Sequence, residues 1–390
     1  MVDALESWHT ALAIEPEFWM ARGNRGRGLL RYGQSLYDDD LVAIFFFYAH
    51  KDLTQAIEDA AKHPESGYAE ARKYFEDQKA WIEDHLNVAG FGANFEPDNG
   101  LLGQSHAERS YRQWCLANRL FLNPVNDVIS RTVAAHDNLS LPDFQTKLSE
   151  PPVLIGFFNQ LKQEYVTARW DYYCGVHADR AHFSDRYVSL SNTLDYSSYG
   201  LAIEQVRTAF RVGYSLFDKI AFFLNSYFDL QIPLREVSFG RVWRDKSGRN
   251  SVVARRFDRS KNLPLRGLYW LSKDLFDDTL QEVMSPDARA LSETRNHLEH
   301  RYLKVHEIFS GTAGMQQPVS GDLFVDTMAY SLSRRDFEDK TLRVLKLARA
   351  ALIHLSLAMH REEQRRARAR RSKKPIIGQS LDLIEYRWKR

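Results

Sequence analysis

Along most of this chain the apolar residues recur every three to four positions, the spacing of an amphipathic helix, and seldom alternate as in a strand. YAEARKYFEDQKAWIEDHL (68–86), SHAERSYRQWCLANRLFL (105–122) and PPVLIGFFNQLKQEYVTARWDYYCG (151–175) each predict a helix, the last starting at its prolines. Residues 196–230, YSSYGLAIEQVRTAFRVGYSLFDKIAFFLNSYFDL, predict a long helix, and DFEDKTLRVLKLARAALIHLSLAMH (336–360) a closing one. GFGANFEPDNG (90–100) reads as a Gly/Asn/Pro loop, and NPVND (123–127) as a turn or a new helix start. The expected fold is all-α.

One further helix carries the chemistry. Ser285, Pro286 and Asp287 read as N-cap, first-turn proline and early acid. Behind them Leu291, Leu298, Tyr302 and Val305 form one apolar seam, which predicts a helix running through 305 with Tyr302 in the core. Away from the seam lie His300, Asn296, His297 and Lys304. At about 100° per residue, Asn296 and His300 stand roughly 40° apart, one turn from each other, and Arg295 pairs in the same way with Glu299. Arg295 and His300 diverge by about 140°. A single chain would struggle to aim both at one phosphate, whereas two copies across a two-fold axis would share a cleft, so a homodimer is expected.

The six residues RNHLEH (295–300) resemble the Arg-x4-His signature of the HEPN superfamily, all-helical domains common in prokaryotic RNase toxins and defence proteins. RNHLEHRY (295–302) also fits the longer Arg-x4-His-x-Tyr form of HEPN toxins in toxin–antitoxin pairs. The stretches 196–230 and 336–360 resemble the long early helix and a closing helix of such domains. The resemblance covers roughly residues 190–365. It implies metal-independent RNA cleavage, with the ribose 2′-hydroxyl as nucleophile and a 2′,3′-cyclic phosphate as product. His300 would move the proton, Arg295 would stabilise charge on the phosphoryl oxygens, Asn296 would orient imidazole or phosphate, and Glu299 would steer Arg295. A chemistry that needs the 2′-hydroxyl excludes DNA. In related toxins the tyrosine matching Tyr302 is adenylylated by a partner nucleotidyltransferase.

Blander alternatives stay open at this point. Arg295 with Glu299 would serve as an ordinary helix-surface pair. His297 and His300, with His306 nearby, have the spacing of metal ligands, but no acidic or cysteine partner sits at a recognisable distance. His177 and His182 beside Asp179 and Asp185 are explained by loop polarity. A non-catalytic HEPN module, holding a dimer interface or binding RNA or nucleotide, is the competing class.

Composition refines this picture. At 390 residues, with 44% hydrophobic residues, the chain has room for several domains and an ample core. The net charge of +2 hides an asymmetry. Residues 1–90 hold 16 acidic and 9 basic residues, a balance of −7 that leaves +9 for the remainder, where nucleic acid would bind. Two distant cysteines, Cys115 and Cys174, without a CxxC, argue for a reducing compartment. Nothing resembles a signal peptide, and LVAIFFFYA (41–49) is too short to span a bilayer, so a soluble, cytoplasmic protein is expected. No GxGxxG, GxxxxGK[ST], HExxH or GxSxG occurs, and no cofactor is expected.

Four regions follow. Residues 1–90 resemble tetratricopeptide repeats: Ala4, Trp8, Ala11 and Pro16 fit a second repeat helix, and Phe18 and Gly26 begin the next repeat. Ala49, Leu53 and Ala56 give its second helix, displaced by an insertion of about ten residues around YDDDLVAIFF. Such an arm would bind a protein or peptide, a cognate antitoxin included; the alternative is a helical layer capping the core. Residues 91–185 form a helical bridge, 186–370 the HEPN bundle and 371–390 a basic tail. In 235–262, nine basic residues against three acids, with Phe239, Trp243 and Phe257 interleaved, suggest an RNA-contacting loop through Arg241, Trp243, Arg244, Arg255 and Arg256, alongside Lys304. REEQRRARARRSKK (361–374) reads as a solvated helix end or tail that aids RNA binding electrostatically.

Overall fold

The computed structural model describes residues 2–62, 69–98, 100–144, 151–192, 195, 197–244, 257, 260–276, 286–307 and 328–369; the side chains at 2–3, 274, 276, 286–289 and 300 are not among them. Its helices are α1 (Val2–Ile14), α2 (Trp19–Gly33), α3 (Asp39–Ala61), α4 (Ala69–His85), α5 (Val88–Asn94) and α6 (His106–Ala117), followed by α7 (Val153–Val176) and α8 (Leu201–Tyr227). After them come α9 (Leu263–Phe276), α10 (Pro286–His300) and α11 (Arg334–Ala369). The two described strands, β1 (Tyr302–His306) and β2 (Ala329–Ser333), pair in parallel with Tyr302 opposite Ala329 and His306 opposite Ser333. The fold is all-α with this small ribbon attached. No described helix is long and apolar enough to cross a membrane.

Local chemistry sets the helix starts. Asp38 accepts from the Asp40 and Leu41 amides at 3.0 and 3.1 Å, with Asp39 and Asp40 adding negative charge to the first turn of α3. Ser105 accepts from Glu108 N at 3.0 Å while Glu108 accepts from Gln104 N at 2.8 Å, a reciprocal cap for α6. The start of α8 receives its cap from a distance: Asp185 accepts from Leu201 N at 3.1 Å, which gives that loop carboxylate a structural task.

Three expectations change. The loop predicted at 90–100 is partly helix α5, because Asn87 accepts from Gly90 N and Phe91 and Phe95 lie against Phe47, with centroids 5.4 and 6.3 Å away. Much of the expected insertion around YDDDLVAIFF forms the first turns of α3, with Phe45 and Phe46 buried. The helix expected to run through 305 stops at His300, and Leu303 and Val305 fill the core from one face of β1. Within 303–306 apolar Leu303 and Val305 alternate with Lys304 and His306, a period of 2 that so short a run does not separate from a helical one.

The central layer is α7, α8 and α11, with α9 and α10 packed beside them. Close approach needs small residues: a Cβ on Gly213 of α8 would sit 3.0 Å from Val344, and one on Gly26 of α2 would sit 2.9 Å from Leu53 and 3.1 Å from the Ala49 carbonyl. The N-terminal helices are fastened to α11. Glu6 pairs with Lys346 at 2.5 Å, and Tyr37 stacks on His360 with centroids 3.5 Å apart.

Two buried guanidinium groups hold the connecting segment 118–140. Arg349 of α11, 1% exposed, donates to Asp127 at 2.6 Å and to the carbonyls of Phe121 and Asn123 at 2.6 and 2.9 Å. Tyr32 of α2 donates to the other Asp127 oxygen at 3.1 Å. Arg169 of α7 grips Asp137 at 2.8 and 2.9 Å, the Leu120 carbonyl at 2.8 Å and Tyr111 Oη at 2.9 Å. Irregular backbone inside a protein must find partners, and these side chains supply them. Removing one member of such a pair strands a buried charge. Arg349→Met should therefore lower unfolding free energy by about 3–5 kcal/mol in urea denaturation, with Arg349→Met/Asp127→Asn less harmful than the sum of the single changes.

Burial also depresses three imidazoles: His354 on α11 to about 3, His360 and His9 to about 4. In the unfolded chain they titrate near 6.5, so the unfolded state takes up protons first on acidification. Their contribution to stability is complete above about pH 6.5 and is lost as pH falls, down to about 4 for His9 and His360 and about 3 for His354. The thermal midpoint should drop across that window, and His354→Gln should flatten the drop.

Candidate active site

The last turns of α10 are positioned mainly by α8. Arg295 lies with its guanidinium 5.7 Å from the centroid of the Tyr214 ring, and Tyr214 is buried, its phenol pushed up to about 12 by burial and so neutral. Arg295 Nη1 is 3.5 Å from Asn296 Oδ1, and Asn296 itself is exposed. Among the described residues no carboxylate comes within ion-pair distance of Arg295. Glu299, expected to steer it, faces Arg211 of α8 instead, at 3.8 Å. The reason is geometric: α8 runs under this part of α10 and presents Arg211 there, while Arg295 is drawn to an aromatic ring.

A helix end leaves carbonyls without partners, and α8 answers one of them in α10 and a further carbonyl in β1, on either side of the helix-to-strand break. Arg211 Nη2 donates to Leu298 O at 2.8 Å, and Arg207 Nη2 donates to Leu303 O at 2.9 Å. Arg207, Arg211 and Tyr214 thus form a stripe on α8 with spacings of four and three residues. The sequence reading missed all three. Their helical spacing was visible, but nothing in it said which neighbour they would meet.

His300 closes α10, and its side chain lies outside the described residues. His297 donates through Nδ1 to the Glu293 carbonyl at 2.9 Å and stacks on Tyr330 of β2, with centroids 4.8 Å apart. His306 donates through Nδ1 to the Asp195 carbonyl at 3.0 Å. Each ring is thus oriented by the protein.

Tyr302, expected in the core, is 38% exposed on β1. Its hydroxyl is 2.8 Å from that of Tyr199, and this hydrogen bond, followed by partial burial, raises its pKa above the ordinary tyrosine value. Lys304, expected to meet RNA, is 8% exposed and bonded to Asp195 at 2.5 Å, so its charge is already matched inside the protein. That carboxylate comes from a segment that joins the edge of β1, where Ser197 bridges His306 and Ser198 N donates to Val305 O at 2.7 Å.

The basic stretch 235–262 divides. Trp243 is 1% exposed, and Phe239 and Phe257 are buried with it; centroids lie 5.9 and 5.1 Å from the indole. These rings fill core space against α8 and α9, so no stacking surface for bases is found there. Arg241 is partly buried and donates to the Arg244 carbonyl. Arg255 and Arg256 lie outside the described residues. At the far end, Arg365 and Arg366 continue α11 and pair with Glu362 at 2.6 and 3.4 Å. Cys115 is buried, and burial pushes its thiol up to about 11, far from a reactive thiolate.

Comparison with known families agrees with this architecture. The family model of the LA2681-like HEPN domain matches residues 145–362, more than half of the chain. The chain belongs to this HEPN family. No curated protein and no solved structure matches it. The matched HEPN stretch starts at 145 and so takes in α7, which the sequence had placed in the bridging region. It ends within α11 and contains every residue of the Arg-x4-His motif.

Proposed function

We propose that the protein is a metal-independent endoribonuclease whose site is completed when two copies bring the ends of α10 together. The observation that supports it most is Arg295: a guanidinium propped on Tyr214, without a carboxylate partner among the described residues, beside an exposed amide and five positions before His300. A group so held can accept a phosphodiester without first breaking an ion pair. HEPN domains include ribonucleases, which agrees with this chemistry. In the proposed reaction His300 takes the proton of the ribose 2′-hydroxyl as that oxygen attacks phosphorus. The P–O5′ bond breaks, a protonated imidazole returns a proton to the leaving 5′-oxygen, and a 2′,3′-cyclic phosphate remains.

In this reading the protein acts as a toxin or antiviral effector, and the acidic N-terminal layer is the place where a protein partner would restrain it. Tyr302, exposed next to the motif, is where adenylylation of the kind found in related toxins would act. A non-catalytic binding module is the second reading, favoured by the divergence of about 140° between Arg295 and His300 on one helix. The two part on a simple assay. The nuclease should be a dimer, cut single-stranded RNA in EDTA and leave cyclic-phosphate ends. Arg295→Ala and His300→Ala should each lower the rate by about 100-fold or more. A monomer that retains RNA without turnover would be the binding module, and undiminished cleavage by both variants would place the reaction elsewhere.

A further inference from the structure

Arg211 is a second cation beside the motif, and its surroundings carry an inference that rests on the proposed nuclease reading. Its side chain is 44% exposed, and its Nη2 donates to the Leu298 carbonyl at 2.8 Å. Glu299 stands 3.8 Å from its Nε, beyond hydrogen-bond reach, and is itself 38% exposed. A guanidinium offers five N–H donors in a planar fork, and among the described residues one acceptor, the Leu298 carbonyl, lies within hydrogen-bond reach of Arg211. Three residues further along α8, on the same face, Tyr214 carries the guanidinium of Arg295. Two guanidinium groups are thus steadied from beneath, by a carbonyl and by a ring, within one turn of α8. Both flank the last turn of α10, which ends at His300.

Like charges gathered this way repel unless an anion lies between or beside them. Glu299 meets that need weakly, since an exposed pair at this separation is worth little. A phosphate oxygen would meet it better, through short charge-assisted hydrogen bonds. We propose that Arg211 is a phosphate-binding residue of this site, taking a phosphodiester of single-stranded RNA next to the one held by Arg295, and that Glu299 occupies its guanidinium when RNA is absent. The carboxylate then acts as a competitor that RNA displaces, which sets a threshold on binding and favours substrates with several consecutive phosphates.

The test uses the full chain and a 2′-O-methyl RNA oligonucleotide, which binds but lacks the nucleophile. Arg211→Gln keeps a polar, hydrogen-bonding side chain and loses the charge. It should weaken binding about tenfold or more and lower the slope of log affinity against log salt by about one. With cleavable RNA it should lower kcat/KM by the same factor, while the thermal midpoint stays put. Arg211→Lys should recover part of the affinity, and Glu299→Gln should tighten binding severalfold. Unchanged affinity and salt slope in Arg211→Gln, with a lowered thermal midpoint, would make Arg211 a tether for α10 and overturn the proposal, as would absence of oligonucleotide binding by the wild type. Should the wild type bind but not cut, the cleavage reading falls alone, and the binding comparison still decides the role of Arg211.

Discussion

The buried ion pair between Arg349 and Asp127, 2.6 Å long and shielded from water, is the contact on which this architecture turns. A charge in that position is tolerable only with close partners, and the carbonyls of Phe121 and Asn123 join Asp127 so that each guanidinium nitrogen has an acceptor. The same group therefore fixes three things at once: the course of segment 118–140, the seat of α2 through Tyr32, and the register of α11 against both. Arg169 repeats the device from α7. Between them the two arginines join segment 118–140 to the HEPN domain, and the contacts of Glu6 and Tyr37 with α11 are those of a helical layer, one of the two arrangements the sequence left open.

That framework matters for the motif because α8 is clasped between α7 and α11 and in turn carries α10. Arg207 and Arg211 bond carbonyls on either side of the break at 301, and Tyr214 supports Arg295. The last turn of α10 is thus held from α8 and followed directly by a strand, the kind of support that a site of pre-organised charge needs.

The sequence made much of this legible. The periodicity of 151–175 and 196–230 marked α7 and α8 to within about five residues, that of 336–360 marked α11 except for its last nine residues, and RNHLEH led to the HEPN family, because one apolar face per helix and a compact motif are local signals. What escaped was non-local. Val305 fits a helical seam with Tyr302 and a strand face with Leu303, and the partner strand that decides between them lies more than twenty residues on. Nothing local marked Arg169 and Arg349 as buried, since their acceptors belong to a loop distant in sequence. Trp243 and its neighbouring phenylalanines were hidden by the basic residues around them, which read as a surface loop, while the rings turned inward.

The proposed chemistry stands or falls on the nucleophile. A single-stranded RNA carrying one 2′-deoxyribose on the 5′ side of its cleaved linkage, compared with the all-ribose strand in the presence of a chelator, tests this most directly. Resistance of that linkage alone, with neighbouring sites still cut, is the predicted result. Cleavage of the deoxy-substituted linkage at the rate of the all-ribose one would contradict internal attack and with it the role given to the Arg295–His300 pair.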